Sequence, residues 1–171
     1  EKTNEYFNLK AMYPISELWK FGISGDLPIL LVKIGNSNET EILADAIKAY
    51  EFFRLKNIEV DLVILDKEPE SYEKYTKEAI QNAILNANLG YMRNIRGGIF
   101  IIENEEEELF EFYAKLTIET SKGPILRQIL DLEEEYTEGT KEIGERQPST
   151  IKEEKVENTI EETLAKENLL Y

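Results

Sequence analysis

Apolar positions along this chain alternate between two rhythms. Pro28 to Ile34 (PILLVKI) is a short, nearly unbroken apolar run interrupted only by Lys33, the pattern of a strand covered on both faces. Gly35-Asn36-Ser37-Asn38 breaks it, and Ser37 or Asn38 is placed to cap a helix whose first turn carries Glu39 and Glu41 at the positive end of the helix dipole. Ile42, Leu43, Ala46, Ile47, Tyr50 and Phe53 then recur at steps of three and four, so one stripe of that helix is predicted to be buried, with Glu51, Arg54 and Lys56 off the stripe.

The alternation repeats. Val60 to Leu65 (VDLVIL) reads as a second strand, left through the turn-rich Asp66-Lys67-Glu68-Pro69. Ser71 is the expected cap of the next helix, with Tyr72, Tyr75, Ala79, Ile80, Ala83, Ile84 and Ala87 as its buried face. Ile99 to Ile102, entered from Gly97-Gly98, is a third strand. Leu109, Phe112, Tyr113, Leu116 and Thr120 mark one further helix that Gly123-Pro124 should end.

Strands that are apolar throughout and separated by helices predict an α/β fold. The expected form is a small three-layer sandwich with a parallel sheet of about three to four strands, flavodoxin- or Rossmann-like, with right-handed crossovers. So thin a sheet needs its edges covered. Residues 1–27 read as an N-terminal connector ending in a Gly22-Ile23-Ser24-Gly25-Asp26 turn, 28–132 as the α/β domain, and 133–171 as an acidic linker, partly helical or disordered. That last segment holds Gly139, Gly144 and Pro148 as breakers, and Ile151, Val156, Ile160 and Leu164 give it a partial helical stripe.

Composition narrows the chemistry. The chain has 171 residues with 20 basic and 35 acidic side chains, a net charge of −15, no His and no Cys. An acidic field repels phosphate backbones and anionic lipid, so neither nucleic acid nor a membrane surface is an expected partner. Without His or Cys there is no disulfide, thiolate nucleophile, imidazole base or Cys/His zinc site. No apolar run has the roughly 18 residues of a spanning helix, no leader pattern opens the chain, and a cytoplasmic setting is expected. The opening without Met and the apolar ending Leu169-Leu170-Tyr171 read as the ends of a piece cut from a longer polypeptide.

Few residues suggest chemistry of their own. Ser24 and Asp26 are suited to bonding local amides in a tight turn between the two glycines. A phosphate cradle would instead set its glycines between a strand end and a helix start. Trp19 and Phe21 can be a sugar-stacking platform, although packing is the preferred reading. Asp61 and Asp66 lie in and after the second strand, where open α/β sheets favour ligands at the carboxyl ends, but Asp66 is most simply a turn residue. Glu105 to Glu108 offset a helix dipole. Arg93 and Arg96 are a local basic spot that can clamp an anion or, by preference, pair with carboxylates across a domain contact. Aromatic residues on more than one side of Tyr50 to Lys56 suggest burial against something outside the small sheet. No catalytic residue, cofactor or metal ligand is assigned.

The strings Leu18 to Val32 (LWKFGISGDLPILLV), Ala49 to Lys56 (AYEFFRLK) and Val60 to Leu65, with Arg96 to Phe100 (RGGIF), resemble an internal segment of the cyclic β-1,2-glucan synthase family. They are similar also to related 1,2-β-oligoglucan phosphorylases, in the wider group that includes cellobiose phosphorylase. The likeness spans roughly residues 18 to 130 and is weak over the acidic tail. It implies a parent enzyme acting on β-1,2-linked glucose chains, with the chemistry carried by sandwich and α/α-barrel regions. None of the catalytic motif is present in this chain. The resemblance therefore implies an accessory domain that contacts neighbouring domains or, as the alternative, glucan, with Trp19, Phe21, Ser24 and Asp26 as the candidate contact residues. An independent nucleotide- or anion-binding domain is the remaining alternative.

Overall fold

The computed structural model describes residues 12–68, 74–103 and 106–143, with side chains to residue 134. By internal contacts the chain divides into Glu1–Leu132 and Glu133–Tyr171. The first unit holds a four-stranded, all-parallel sheet in the order β3-β2-β1-β4. Its strands are β1 (Ile29–Ile34), β2 (Asp61–Asp66), β3 (Ile99–Glu103) and β4 (Ala114–Glu119). Helix α1 (Thr40–Leu55) joins β1 to β2, α2 (Tyr75–Asn86) joins β2 to β3, and α3 (Glu107–Tyr113) leads from β3 to β4.

This is the expected α/β sandwich, and the last strand explains its layers. From β1 to β3 the chain winds outward, then returns across the sheet to place β4 beside β1. When crossovers share one hand, reversing direction puts the helices on the opposite face. Accordingly Leu43, Ala46, Ile47 and Tyr50 of α1 and Ile80 and Ile84 of α2 pack on Leu30, Val32, Ile34, Leu62, Ile64 and Ile99. Leu109 and Phe110 of α3 pack on Ile29, Leu31, Val63, Leu65, Phe100 and Ile102. The second face is completed by the 3₁₀ helix Ile15–Phe21 and the turn after it, whose Leu18 and Ile23 are fully buried. Both β1 and β2 are buried at every position, which accounts for their unbroken apolar runs.

Several local expectations change. The helix predicted through Thr120 stops at Tyr113, and Ala114–Glu119 is strand β4, paired with β1. Gly123, at φ +82°, closes a short 3₁₀ turn after that strand, and Pro124 precedes a further helix, α4 (Ile125–Ile143). Gly139, read as a breaker, lies inside α4. The cap before α1 is Asn36, whose side chain accepts from the Asn38 amide at 3.0 Å, rather than Ser37 or Asn38. Tyr75 is exposed, and Thr76 takes its place beside Ile80 and Ile84 on the buried side of α2. The expected cap Ser71, Tyr72 and the stripe from Ile151 to Leu164 lie outside the described residues.

The edge strand β4 is finished by a side chain acting as a backbone mimic. Gln128 of α4 accepts from the Glu119 amide at 2.9 Å through Oε1, and its Nε2 donates to the Glu119 and Gly123 carbonyls at 2.9 and 2.7 Å. Three backbone groups at the end of an open edge are thereby satisfied.

Candidate functional site

In an open α/β sheet the ligand crevice lies at the carboxyl ends of the strands, where the order of winding reverses. Here that point falls between β1 and β4, outside Ile34 and Glu119. It is filled by the chain itself. The single O–H of the buried Thr120 is shared between the Lys33 carbonyl, at 3.1 Å, and the Glu39 carboxylate, tying the end of β4 to the end of β1 and to the approach to α1. The loop after β1 offers no anion cradle either, because Asn36 already takes the Asn38 amide and Glu39 and Glu41 put negative charge at the helix entry.

Beneath this closure lies Lys33, the lone charge in the first apolar run and 7% exposed. Its ammonium meets Glu107 at 3.0 Å, Glu111 at 2.6 Å and Glu119 at 3.1 Å, and Lys67 shares Glu107 at 2.9 Å. Burial alone would depress Lys33, but the surrounding carboxylates outweigh it and hold the ammonium well above its ordinary pKa. Lys67 and Lys33 hold Glu107 below the usual carboxylate range; Glu119 is also lowered, Lys122 and Lys33 outweighing its burial. The acidic run at the start of α3 thus does more than offset a dipole. Glu107 and Glu111 neutralise a cation embedded in the sheet, and Glu106 pairs with Lys20. The sequence assigns Lys33 and Thr120 no site role, placing Thr120 on a helix face, although a lysine inside PILLVKI is itself the signal.

The four candidate contact residues separate into distinct roles. Phe21 belongs to the core, its ring 5.1 Å from that of Phe110. Trp19 is 62% exposed, and its indole donates to the Ser24 carbonyl at 3.3 Å, which leaves the ring on the surface. Ser24 bonds Asp26 across the turn formed by Gly22 and Gly25, both at positive φ. Asp26 in turn accepts from Arg96 at 2.9 Å. Ser24 and then Arg96 hold the Asp26 carboxyl below its ordinary range.

That ion pair belongs to a second cluster, at the amino ends of the strands. Arg96 also grips Glu59 through Nη1, at 3.1 and 3.2 Å, so it pairs with carboxylates, but inside one unit rather than across a domain contact, and Arg93 forms no such pair among the described residues. Below Arg96, Asp61, fully buried at the first position of β2, accepts from the Gly97 amide at 2.8 Å, while the buried Tyr50 hydroxyl donates to the Gly97 carbonyl at 2.6 Å. Burial raises Asp61 above the usual carboxylate range and pushes the Tyr50 phenol to about 12. Asp61 therefore anchors the 93–98 loop at the end opposite the usual ligand crevice. Asp66, at the carboxyl end of β2, accepts from the Glu68 amide at 3.0 Å and is the turn residue expected.

Gly98 is demanded by this loop. A Cβ there would lie 2.2 Å from the Met92 carbonyl oxygen and 2.6 Å from that of Ile95. The RGGIF string thus encodes a loop with no room for a side chain at Gly98 and an arginine that clasps two neighbours. Among the described residues no three carboxylates are grouped to hold a metal ion, and no helix is long and apolar enough to cross a membrane.

No family model and no solved structure matches this chain. The cyclic beta-(1,2)-glucan synthase NdvB of Rhizobium meliloti (strain 1021) is 30% identical to it over 91 residues, which are 53% of this chain. The matched stretch is 3% of the length of that synthase. The chain is distantly related to a small segment of a cyclic β-(1,2)-glucan synthase.

Proposed function

We propose that this chain is a non-catalytic, interdomain α/β module of a large cytoplasmic enzyme that synthesises or phosphorolyses β-1,2-glucan. The observation that carries the reading is the closed switch point: Thr120 bonds Lys33 and Glu39 in the crevice where a doubly wound sheet would hold its ligand. The distant relationship to a synthase supports the glucan context. In this role the module presents surfaces to neighbouring domains, and the chemistry is done elsewhere in the polypeptide. The chain incubated with β-1,2-glucan and inorganic phosphate should release no glucose 1-phosphate; measurable phosphorolysis overturns the proposal.

A second reading, a weak glucan-contact module, is favoured by the exposure of Trp19, since an aromatic face on the surface can stack on the apolar face of a pyranose ring. Titration of the labelled chain with β-1,2-linked gluco-oligosaccharides should then move the Trp19 indole and Ser24 resonances. Unmoved resonances at millimolar sugar reject it.

A further inference from the structure

The amino end of the sheet carries a group of exposed apolar side chains. Phe52 and Leu55 on the last turns of α1, Ile58 after it, and Tyr91 and Ile95 before β3 are all exposed, Leu55 by 79% and Tyr91 by 68%. The two segments adjoin. Arg54 donates to the Tyr91 hydroxyl at 3.3 Å, Arg96 bonds Glu59, and a hollow of about 400 Å³ is lined by Arg54, Asn57, Ile58 and Glu59 on one side and Met92 and Arg96 on the other. Exposed apolar side chains scattered singly need no explanation, but five on two adjoining segments, with Ile58 in the hollow between them, mark an interaction surface.

The charges on this surface say what it meets. The chain is strongly acidic, and its described lysines and arginines outside this surface pair with carboxylates, Lys115 and Arg127 excepted. Arg54, Lys56 and Arg93 do not: among the described residues none of the three pairs with a carboxylate. Arg54 lies 5.7 Å from the Tyr91 ring and Lys56 5.6 Å from that of Phe52, so cations and apolar groups are interleaved. Cations without carboxylates, set among exposed apolar groups on an acidic chain, are complementary to a protein surface with an apolar centre and a carboxylate rim. Leu55, Ile58 and Ile95 are aliphatic, which suits a protein partner better than a sugar ring.

We propose that this amino-end surface, centred on Ile58, Tyr91 and Ile95 and edged by Arg54, Lys56 and Arg93, docks an acidic, apolar-centred protein surface. The inference rests on the reading of the chain as an interdomain module and names the face that module uses.

The test titrates the labelled full chain with a synthetic helical peptide bearing leucines along one face and glutamates along the other. Amide shifts should be confined to residues 52–58 and 91–96. Lys56→Glu with Arg93→Glu should weaken binding about tenfold, as should Arg54→Glu where it folds. Lys115→Glu with Arg127→Glu, which reverses two cations outside this surface, should leave binding unchanged. An absence of shifts, shifts elsewhere, equal weakening by the control pair, or tighter binding of a leucine/lysine peptide overturns the proposal. So do β-1,2-linked gluco-oligosaccharides that move the same amides, which reassign the face to sugar, and concentration-dependent self-association through them, which reassigns it to a second copy. Turnover of glucan by the chain would reject the interdomain reading while leaving the peptide result standing, so the two failures are distinguishable.

Discussion

Asp61 accepts the Gly97 amide at 2.8 Å through one carboxylate oxygen, while its other oxygen is buried without a partner. A carboxylate in that position keeps one useful hydrogen bond and bears the cost of desolvation on the other side. Its folded pKa is raised, so its contribution to stability is fully present below the ordinary carboxylate value and is lost as pH rises through the folded pKa. Asp61→Asn keeps an acceptor for Gly97 and removes the buried charge. The variant should be more stable than the parent at pH 7 by about 1 kcal/mol, with the difference shrinking on acidification. Urea unfolding at pH 7 and pH 5 measures both; a destabilised Asn variant with a pH-independent difference counts against the account.

Lys33 works with the opposite sign. Glu107 and Glu119 are held below the ordinary carboxylate range, so the stability they contribute is present above that range and is lost as pH falls through their folded values. Lys33→Met leaves Glu107, Glu111 and Glu119 facing one another without their shared cation. Removing one member of a fully buried pair costs roughly 3–5 kcal/mol; these carboxylates are partly solvated, which reduces the expected loss to about 2 kcal/mol at pH 7. The penalty should fade as pH falls through the lowered folded values of Glu107 and Glu119. Denaturation monitored by circular dichroism across that range reads the effect directly.

The loop before β3 gives a prediction free of electrostatics. Gly98→Ala drives a methyl group into the Met92 and Ile95 carbonyls and should cost about 3 kcal/mol or prevent folding, because backbone atoms cannot move aside as a flexible side chain would. Gly35→Ala meets nothing within 4 Å, and Gly35 is not at positive φ. It should be neutral or stabilising by about 0.5 kcal/mol through the unfolded chain. Thermal melts of the pair separate a steric requirement from a general effect of glycine.

Much of this architecture is legible in the sequence because buried parallel strands need largely apolar runs, and β1, β2 and β3 have them. Strand β4 was read as helix because Leu109, Phe112, Tyr113, Leu116 and Thr120 continue a helical spacing across its start. Within Lys115-Leu116-Thr117-Ile118-Glu119, however, apolar and polar residues alternate strictly, the period of an edge strand with one face inward. Leu116 fits both patterns, and pairing with β1 decides between them. The closed crevice was less accessible, since Lys33, Glu39 and Thr120 are brought together only by the return of the chain to the far side of β1. Nothing in their spacing announces it.

Trp19 and Phe21 test whether two aromatic residues in one string do the same work. Phe21 packs on Phe110 and the second core, so Phe21→Ala should cost about 3 kcal/mol through lost contacts and the cavity left behind. Trp19 is mostly solvated and makes one long hydrogen bond to Ser24, so Trp19→Ala should change stability by no more than about 0.5 kcal/mol. Chemical denaturation of both variants, followed by far-ultraviolet circular dichroism because Trp19 is the sole tryptophan, gives the comparison. A large loss at Trp19 would mean that its ring is structural, and its exposure could then no longer be cited for glucan contact. A small loss leaves an aromatic side chain on the surface that the fold does not require, which is the condition the glucan-contact reading needs before any sugar is added.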